Sequence, residues 1–142
     1  MTLAVYRILI NLIVLFSPII ILIRLLKGKE DLNRFSEKLG FFFYKKVGKN
    51  LIWFHGVSVG ELLSVIPLIE NLEKDKNIDQ ILLTSSTISS AKVFGKFKFK
   101  KTIHQFFPID SNIISKKFIN FWKPSISIFI DSEIWPNMIL NL

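Results

Sequence analysis

Leu51-Ile52-Trp53-Phe54-His55-Gly56-Val57-Ser58-Val59-Gly60-Glu61-Leu62-Leu63 holds a strand, a loop and the start of a helix in thirteen residues. The apolar run Leu51–Phe54, bounded upstream by Gly48-Lys49-Asn50, reads as a buried strand. His55 to Gly60 is small and flexible. From Glu61 onward, Leu62, Val65, Ile66, Ile69 and Leu72 recur at helical spacing. Open α/β sheets place ligands at such a junction, outside the carboxyl end of a strand. The first N–H groups of the helix lack intrahelical partners, and Gly56 and Gly60 permit close backbone approach. Glu61 in the first turn has two readings. It is a general base for a bound hydroxyl, or an acid favoured there by the helix dipole.

Downstream, the pattern repeats. Ile81-Leu82-Leu83-Thr84 reads as a second strand, and Ser85-Ser86-Thr87 as a hydroxyl-rich loop able to cap a helix over 89–94. Gly95 ends that helix. His104-Gln105-Phe106-Phe107 is a third strand, and Ser111 to Phe121 a third helix, broken by Trp122-Lys123-Pro124. Ser125 to Ile130 is a fourth strand. Its loop, Asp131-Ser132-Glu133, leads to Pro136 in the first turn of another helix. Glu133 thus occupies the position relative to its strand that Glu61 occupies relative to the first. Two such carboxylates in one parallel sheet can converge on one crevice; the plainer reading makes Asp131 or Ser132 a helix cap and Glu133 a dipole partner. Alternating strands and helices give an α/β fold with a Rossmann-like parallel sheet. In Gly95-Lys96-Phe97-Lys98-Phe99-Lys100-Lys101 the alternation fits a half-buried edge; a functional role there would point to anionic lipid.

Upstream, Ile8 to Ile23 is a run of sixteen uncharged residues between Arg7 and Arg24. With flanking Leu3-Ala4-Val5-Tyr6 and Leu25-Leu26 it approaches the length of a membrane span. The alternative is a buried or interface-lying helix. Lys27, Lys29, Arg34, Lys38, Lys45 and Lys46 follow it, which places the remainder on the cytoplasmic side by the positive-inside rule. Asp31 to Leu39 reads as a short helix stopped by Gly40. Phe41-Phe42-Phe43-Tyr44 either sits at headgroup level or packs on the sheet. Net charge is +8 from 19 basic and 11 acidic residues, with half the 142 residues hydrophobic. That balance suits anionic lipid, a phosphorylated substrate or nucleic acid, but no nucleic-acid motif accompanies it. The absence of cysteine excludes disulfides and thiolate metal sites. His104, a lone histidine, reads as structural, and nothing pairs with it at ligand spacing, so no metal site is expected.

His55-Gly56-Val57-Ser58-Val59-Gly60-Glu61 resembles the H-x-V-S-V-G-E motif of the 3-deoxy-D-manno-octulosonic-acid (Kdo) transferases. Ser132-Glu133-Ile134-Trp135-Pro136-Asn137 is similar to their E-L-W-P-N block, with Ile for Leu, and Glu37-Lys38-Leu39-Gly40 to their E-R-L-G. The three occur in the family's order.

The resemblance implies the amino-terminal, acceptor-side half of a GT-B glycosyltransferase. Kdo would pass from CMP-Kdo to a lipid A precursor with inversion, in lipopolysaccharide synthesis, with no cofactor or metal. Glu61 would be the general base and Glu133 an acid orienting acceptor or base. Ser58 and Gly60 would shape the acceptor loop, and Trp135 and Asn137 would be structural. The expected domains are a membrane-anchor helix over 1–27 at the cytoplasmic face of the inner membrane, a basic and aromatic link over 28–50, and a Rossmann-like acceptor domain over 51–142. CMP-Kdo would bind through a carboxy-terminal domain absent from this chain, which is expected to be inactive alone; since Leu142 falls inside an apparent helix, a truncated gene, a split open reading frame or an incomplete fragment is expected. A membrane-anchored, non-catalytic α/β remnant that binds lipid or a partner is the competing expectation; another membrane-associated glycosyltransferase of this architecture is a further one.

Overall fold

A computed structural model describes residues 2–42, 44–131 and 134–142. They fall into two compact units, one of residues 1–42, 108–121 and 134–142, the other of residues 43–107 and 122–133.

The second unit carries the sheet. Strands β1 (Leu51–His55), β2 (Gln80–Ser85), β3 (Thr102–Phe106) and β4 (Ile126–Phe129) are all parallel, in the order β3-β2-β1-β4. Helix α2 (Val59–Leu72) joins β1 to β2, and α3 (Ile88–Phe94) joins β2 to β3. The sequence reading places these elements correctly to within a few residues. Every residue of the inner strand β2 is buried, as an apolar run covered on both faces requires.

Register sets the two faces. Ile52 pairs with Ile81 and Phe54 with Leu83, so these four side chains share one face. There they form a core with Leu62, Ile66 and Ile69 of α2. Each fully buried side chain of this kind contributes roughly 1.5–3 kcal/mol. Phe97 and Phe99 stack on each other and pack against the same core, while Lys96, Lys98 and Lys100 stay exposed. The Lys/Phe alternation is therefore the half-buried edge its pattern suggested. On the opposite face, Trp53 and His55 stack with Phe107, and Trp122 donates its indole N–H to Gln105.

Two carboxylates close the rim where the strands begin. Glu73, just past α2, accepts the backbone N–H groups of Lys100 and Lys101 and the hydroxyl of Thr102. Burial opposes its ionisation, but these bonds outweigh it and hold the carboxyl below the usual range. Asp79 accepts from Lys49 N and Asn50 N. Gly48, at φ +68°, is required there twice over: the left-handed backbone favours glycine, and a Cβ would collide with the Asp79 side chain.

The first unit is helical. It holds α1 (Leu3–Leu26), a 3-10 helix (Phe35–Leu39), most of α4 (Asn112–Trp122) and α5 (Pro136–Asn141). The α-helix expected from Asp31 is a turn followed by the 3-10 helix. The Asp31 side chain accepts Asn33 N and its carbonyl accepts Arg34 N and Phe35 N, which consumes that stretch as a turn. Gly40 ends the 3-10 helix at φ +85°. Phe42 packs edge-on against Phe118 and also meets Phe121, so its aromatic partners are on α4. Phe43 lies outside the described residues.

The expected cap of α5 is corrected. Its N-cap residue is Trp135, which makes no side-chain cap bond, so Asp131 is not the cap; Ser132 lies outside the described residues. The carboxylate of Asp110 does the work instead, accepting Asn137 N at 3.0 Å and Met138 N at 2.7 Å. The same buried carboxylate accepts the hydroxyls of Ser115 and Tyr6.

Candidate active site

β2 and β3 lie successively to one side of β1, and the chain then crosses to add β4 on the other side. The strand order therefore reverses at the β1/β4 boundary. In open α/β sheets that boundary, at the carboxyl ends of the strands, is where a crevice forms and ligands bind. The β1–α2 loop emerges on one side of it and the loop after β4 on the other. Backbone bonds prolong the pairing past the strands, with Gly56 N donating to Thr84 O at 3.1 Å and Ile130 N to His55 O at 2.8 Å.

Ser58 is the N-cap of α2, and Val59 and Gly60 are already helical. The Ser58 hydroxyl oxygen accepts Glu61 N at 3.2 Å and donates its proton to Glu61 Oε1 at 2.6 Å. Glu61 Oε2 accepts Val57 N at 2.8 Å. This is a variant of the capping box. It folds the carboxylate back over the loop, towards the boundary. A Cβ on Gly56 would lie 3.1 Å from both Glu61 Cβ and Ile130 Cδ1, so a glycine is needed for this approach. Gly60 differs: a Cβ there would meet only Ser58 Oγ, at 3.9 Å. Nothing in the packing asks for a glycine at position 60.

Electrostatics keep Glu61 ionised. The Ser58 hydroxyl holds its carboxyl below the usual range; partial burial opposes this, and the Val57 and Ser58 N–H groups reinforce it. A carboxylate offers about four acceptor positions, and Ser58 and Val57 take one on each oxygen. A substrate hydroxyl can use a remaining one.

Behind the loop stands a feature the sequence reading left unassigned. His55 is fully buried, with Nδ1 2.9 Å from Thr84 Oγ1. The same hydroxyl oxygen accepts Trp53 Nε1–H at 2.9 Å. Burial pushes the imidazole down to about 4 against the pull of Thr84 and Glu61, so it is neutral at pH 7. Its place as first letter of the quoted motif was the available signal. His104, expected to be structural, is buried and bonds Ser85 Oγ through Nε2 at 2.8 Å. The structure thus gathers Ser58, Gly60 and Glu61 at the start of α2, just past His55 and Gly56. Glu133 lies outside the described residues.

A four-stranded parallel sheet with helical crossovers and an ionised carboxylate at its switch point defines an open-sheet α/β protein. The particular family follows from comparison. Residues 33–142 match the family described as "3-Deoxy-D-manno-octulosonic-acid transferase (kdotransferase)", and the chain belongs to it. It is 43% identical over 121 residues to a 3-deoxy-D-manno-octulosonic acid transferase of Rickettsia bellii, covering 85% of this chain and 29% of that protein. A probable mitochondrial 3-deoxy-D-manno-octulosonic acid transferase of Arabidopsis thaliana is 35% identical, over 82% of this chain and 26% of its own. The enzyme of that name from Haemophilus influenzae is 31% identical, over 93% of this chain and 32% of its own. The chain thus spans about a third of the length of the curated relatives it matches.

Proposed function

We propose that the chain forms the acceptor side of a Kdo transferase in lipopolysaccharide synthesis, working at the cytoplasmic face of the inner membrane. The substrates are CMP-Kdo, held by a donor-binding domain beyond the region matched here, and a lipid A precursor held at the β1/β4 boundary. The bond from the Kdo anomeric carbon to CMP breaks, and an acceptor hydroxyl attacks from the opposite face, with inversion. Glu61 takes the hydroxyl proton, and Glu133 orients the acceptor or the base. The observation that carries this reading is the Glu61 carboxylate, ionised and with acceptor capacity left, on the loop at the switch point. A low basicity suits a reaction with an oxocarbenium-like centre, where the hydroxyl loses its proton only as the new bond forms. Ser58 fixes the carboxylate, and Gly60 leaves room above the first turn for the sugar.

A second reading has its own support. Both Glu61 oxygens are used in capping α2, which is what a purely structural acid would do, and a non-catalytic lipid- or partner-binding module would keep that cap. The test is reconstitution of the full chain with the donor-binding half of a relative, scoring Kdo transfer to lipid A precursor. Transfer that falls about 10²- to 10⁴-fold in Glu61→Gln, the usual range for a lost general base, supports the enzyme reading. Transfer unaffected by that substitution removes Glu61 from the chemistry, and no transfer with the unaltered chain favours the non-catalytic module.

A further inference from the structure

Helix α1 is long and apolar enough to cross a membrane, with 24 residues and a mean hydropathy of 2.6 over its most apolar window. Its contacts are those of a different arrangement. The residues of α1 that are not exposed follow one stripe: Tyr6 and Arg7, then Ile10, Val14, Ser17 and Ile21, then Arg24 and Leu25. That spacing keeps one face of a helix turned to its own unit, and Ser17 and Ile21 are buried on it. The remaining face is apolar and exposed, from Ile8 through Leu15 to Leu22, at 62%, 69% and 57%.

Both ends of the stripe are fastened to the same helical unit. At the start, the Tyr6 hydroxyl donates to Asp110 Oδ2 at 2.7 Å, and Arg7 Nε donates to Asn137 Oδ1 at 2.9 Å. At the end, Arg24 Nε meets Glu30 Oε1 at 2.6 Å. Glu30 is buried and also pairs with Lys38 Nζ at 2.7 Å. The Lys38 carbonyl accepts Ile109 N at 2.8 Å, one residue from Asp110. One polar chain therefore runs from Arg24 through Glu30, Lys38 and Ile109 to Asp110 and back to Tyr6.

Eighteen residues of helix separate Tyr6 from Arg24, about 27 Å, close to the roughly 30 Å thickness of the hydrocarbon layer. A spanning α1 would put its two fastenings on opposite sides of the bilayer. The chain of buried carboxylates linking them would then lie in hydrocarbon, where unpaired backbone and ionic groups are costly. Residues 1–29 contain Arg7, Arg24, Lys27 and Lys29 and no acid, a charge distribution matched to anionic headgroups.

We infer that α1 does not cross the bilayer but lies along its surface, docked on its own unit by the Tyr6-to-Arg24 stripe and presenting the Ile8–Leu15–Leu22 face to lipid. The occupant of that face is the acyl boundary of an anionic membrane leaflet. This orientation stands independently of the catalytic reading.

The chain lacks cysteine, so Ile8→Cys, Leu15→Cys and Leu22→Cys each carry a single nitroxide at an exposed position on one face. The labelled full-length chain is placed in vesicles of phosphatidylethanolamine and phosphatidylglycerol, and depth is read from relaxation by oxygen against a water-soluble nickel chelate. The surface orientation gives three similar depths, about 5–10 Å below the phosphates. A spanning helix puts Leu15 about 10 Å deeper than Ile8 and Leu22, from seven residues of helical rise, and overturns the inference. Labels that stay in water, or that broaden one another and see no lipid because a second copy covers them, overturn it equally.

Discussion

The two units hold together by different means. In the sheet unit, Phe54, Ile81, Leu83 and the α2 residues Leu62, Ile66 and Ile69 form a continuous apolar core. Glu73 and Asp79 close its rim, and Trp53, Thr84 and His55 add one buried polar layer on the other face of the sheet. The helical unit leaves most of its longest helix bare and is tied by a few buried carboxylates, Asp110, Glu30 and Glu37, each taking several donors or a cation. An apolar core loses stability in small steps as methylenes are removed. A carboxylate hub loses it at once, because every donor it served is orphaned together. The contrast suits the proposal of a sheet that holds a reactive loop still and of a helical unit that turns its apolar surface to lipid.

The largest effect that would test this contrast is at the hub. Asp110→Ala removes the acceptor for Asn137 N, Met138 N and the Ser115 and Tyr6 hydroxyls, and is expected to cost about 3–5 kcal/mol. Hydrogen exchange should show protection lost in α5 while β2 keeps its own. Equal loss in both units would break the distinction drawn here.

A smaller effect separates them by pH. His55 is neutral in the folded sheet unit, with its pKa lowered to about 4, whereas in an unfolded chain it takes a proton near 6.5. As pH falls below that value the unfolded state binds the proton first. Stability is then lost progressively until the folded pKa is reached. Between pH 7.5 and 5 the loss attributable to His55 is about 2 kcal/mol, to be read from denaturant midpoints in detergent. His55→Phe should flatten that dependence, and an unchanged slope would remove His55 as its source.

Next comes the cap. Ser58→Ala should destabilise α2 by about 1 kcal/mol. It also removes the first cause of the low Glu61 pKa, so the acid limb of the transfer rate in the reconstituted enzyme should move to higher pH. A limb that stays put would mean that another group titrates. The smallest change in stability is expected from Gly60→Ala, within about 1 kcal/mol and in the stabilising direction from helix propensity. Its transfer activity should nevertheless fall, because the added methyl fills space that only a substrate uses. Full activity would strip Gly60 of its proposed role.

The sheet was legible because its information is local. Short apolar runs ended by glycine, proline or hydroxyl-rich loops name the strands; the cap that Ser58 places on α2 went unread. The motif picked out Glu61, Ser58 and Gly60 but left unstated that His55 and Thr84 form a buried polar layer behind them, since a pairing between residues 29 apart leaves no local trace. In the helical unit the long helices were read in place, but the bonds that tie them were not, for the same reason. Asp110 serves partners 27 residues downstream and 104 upstream, and nothing around it reads as a cap. Asp31 to Leu39 has helical spacing, yet the Asp31 side chain competes for the backbone and turns it.

Glu73 and Glu61 make a natural pair of controls for one another. Both are glutamates accepting backbone N–H groups beside α2, at opposite rims of one sheet. Glu73 is saturated by three neighbours, so its charge is spent as mortar. Glu61 is moored by two and keeps a free berth. On the proposed function, the end of the sheet that does chemistry is the one whose acid is left partly unoccupied, and emptying the Glu73 position should slacken the start of β3 without touching turnover.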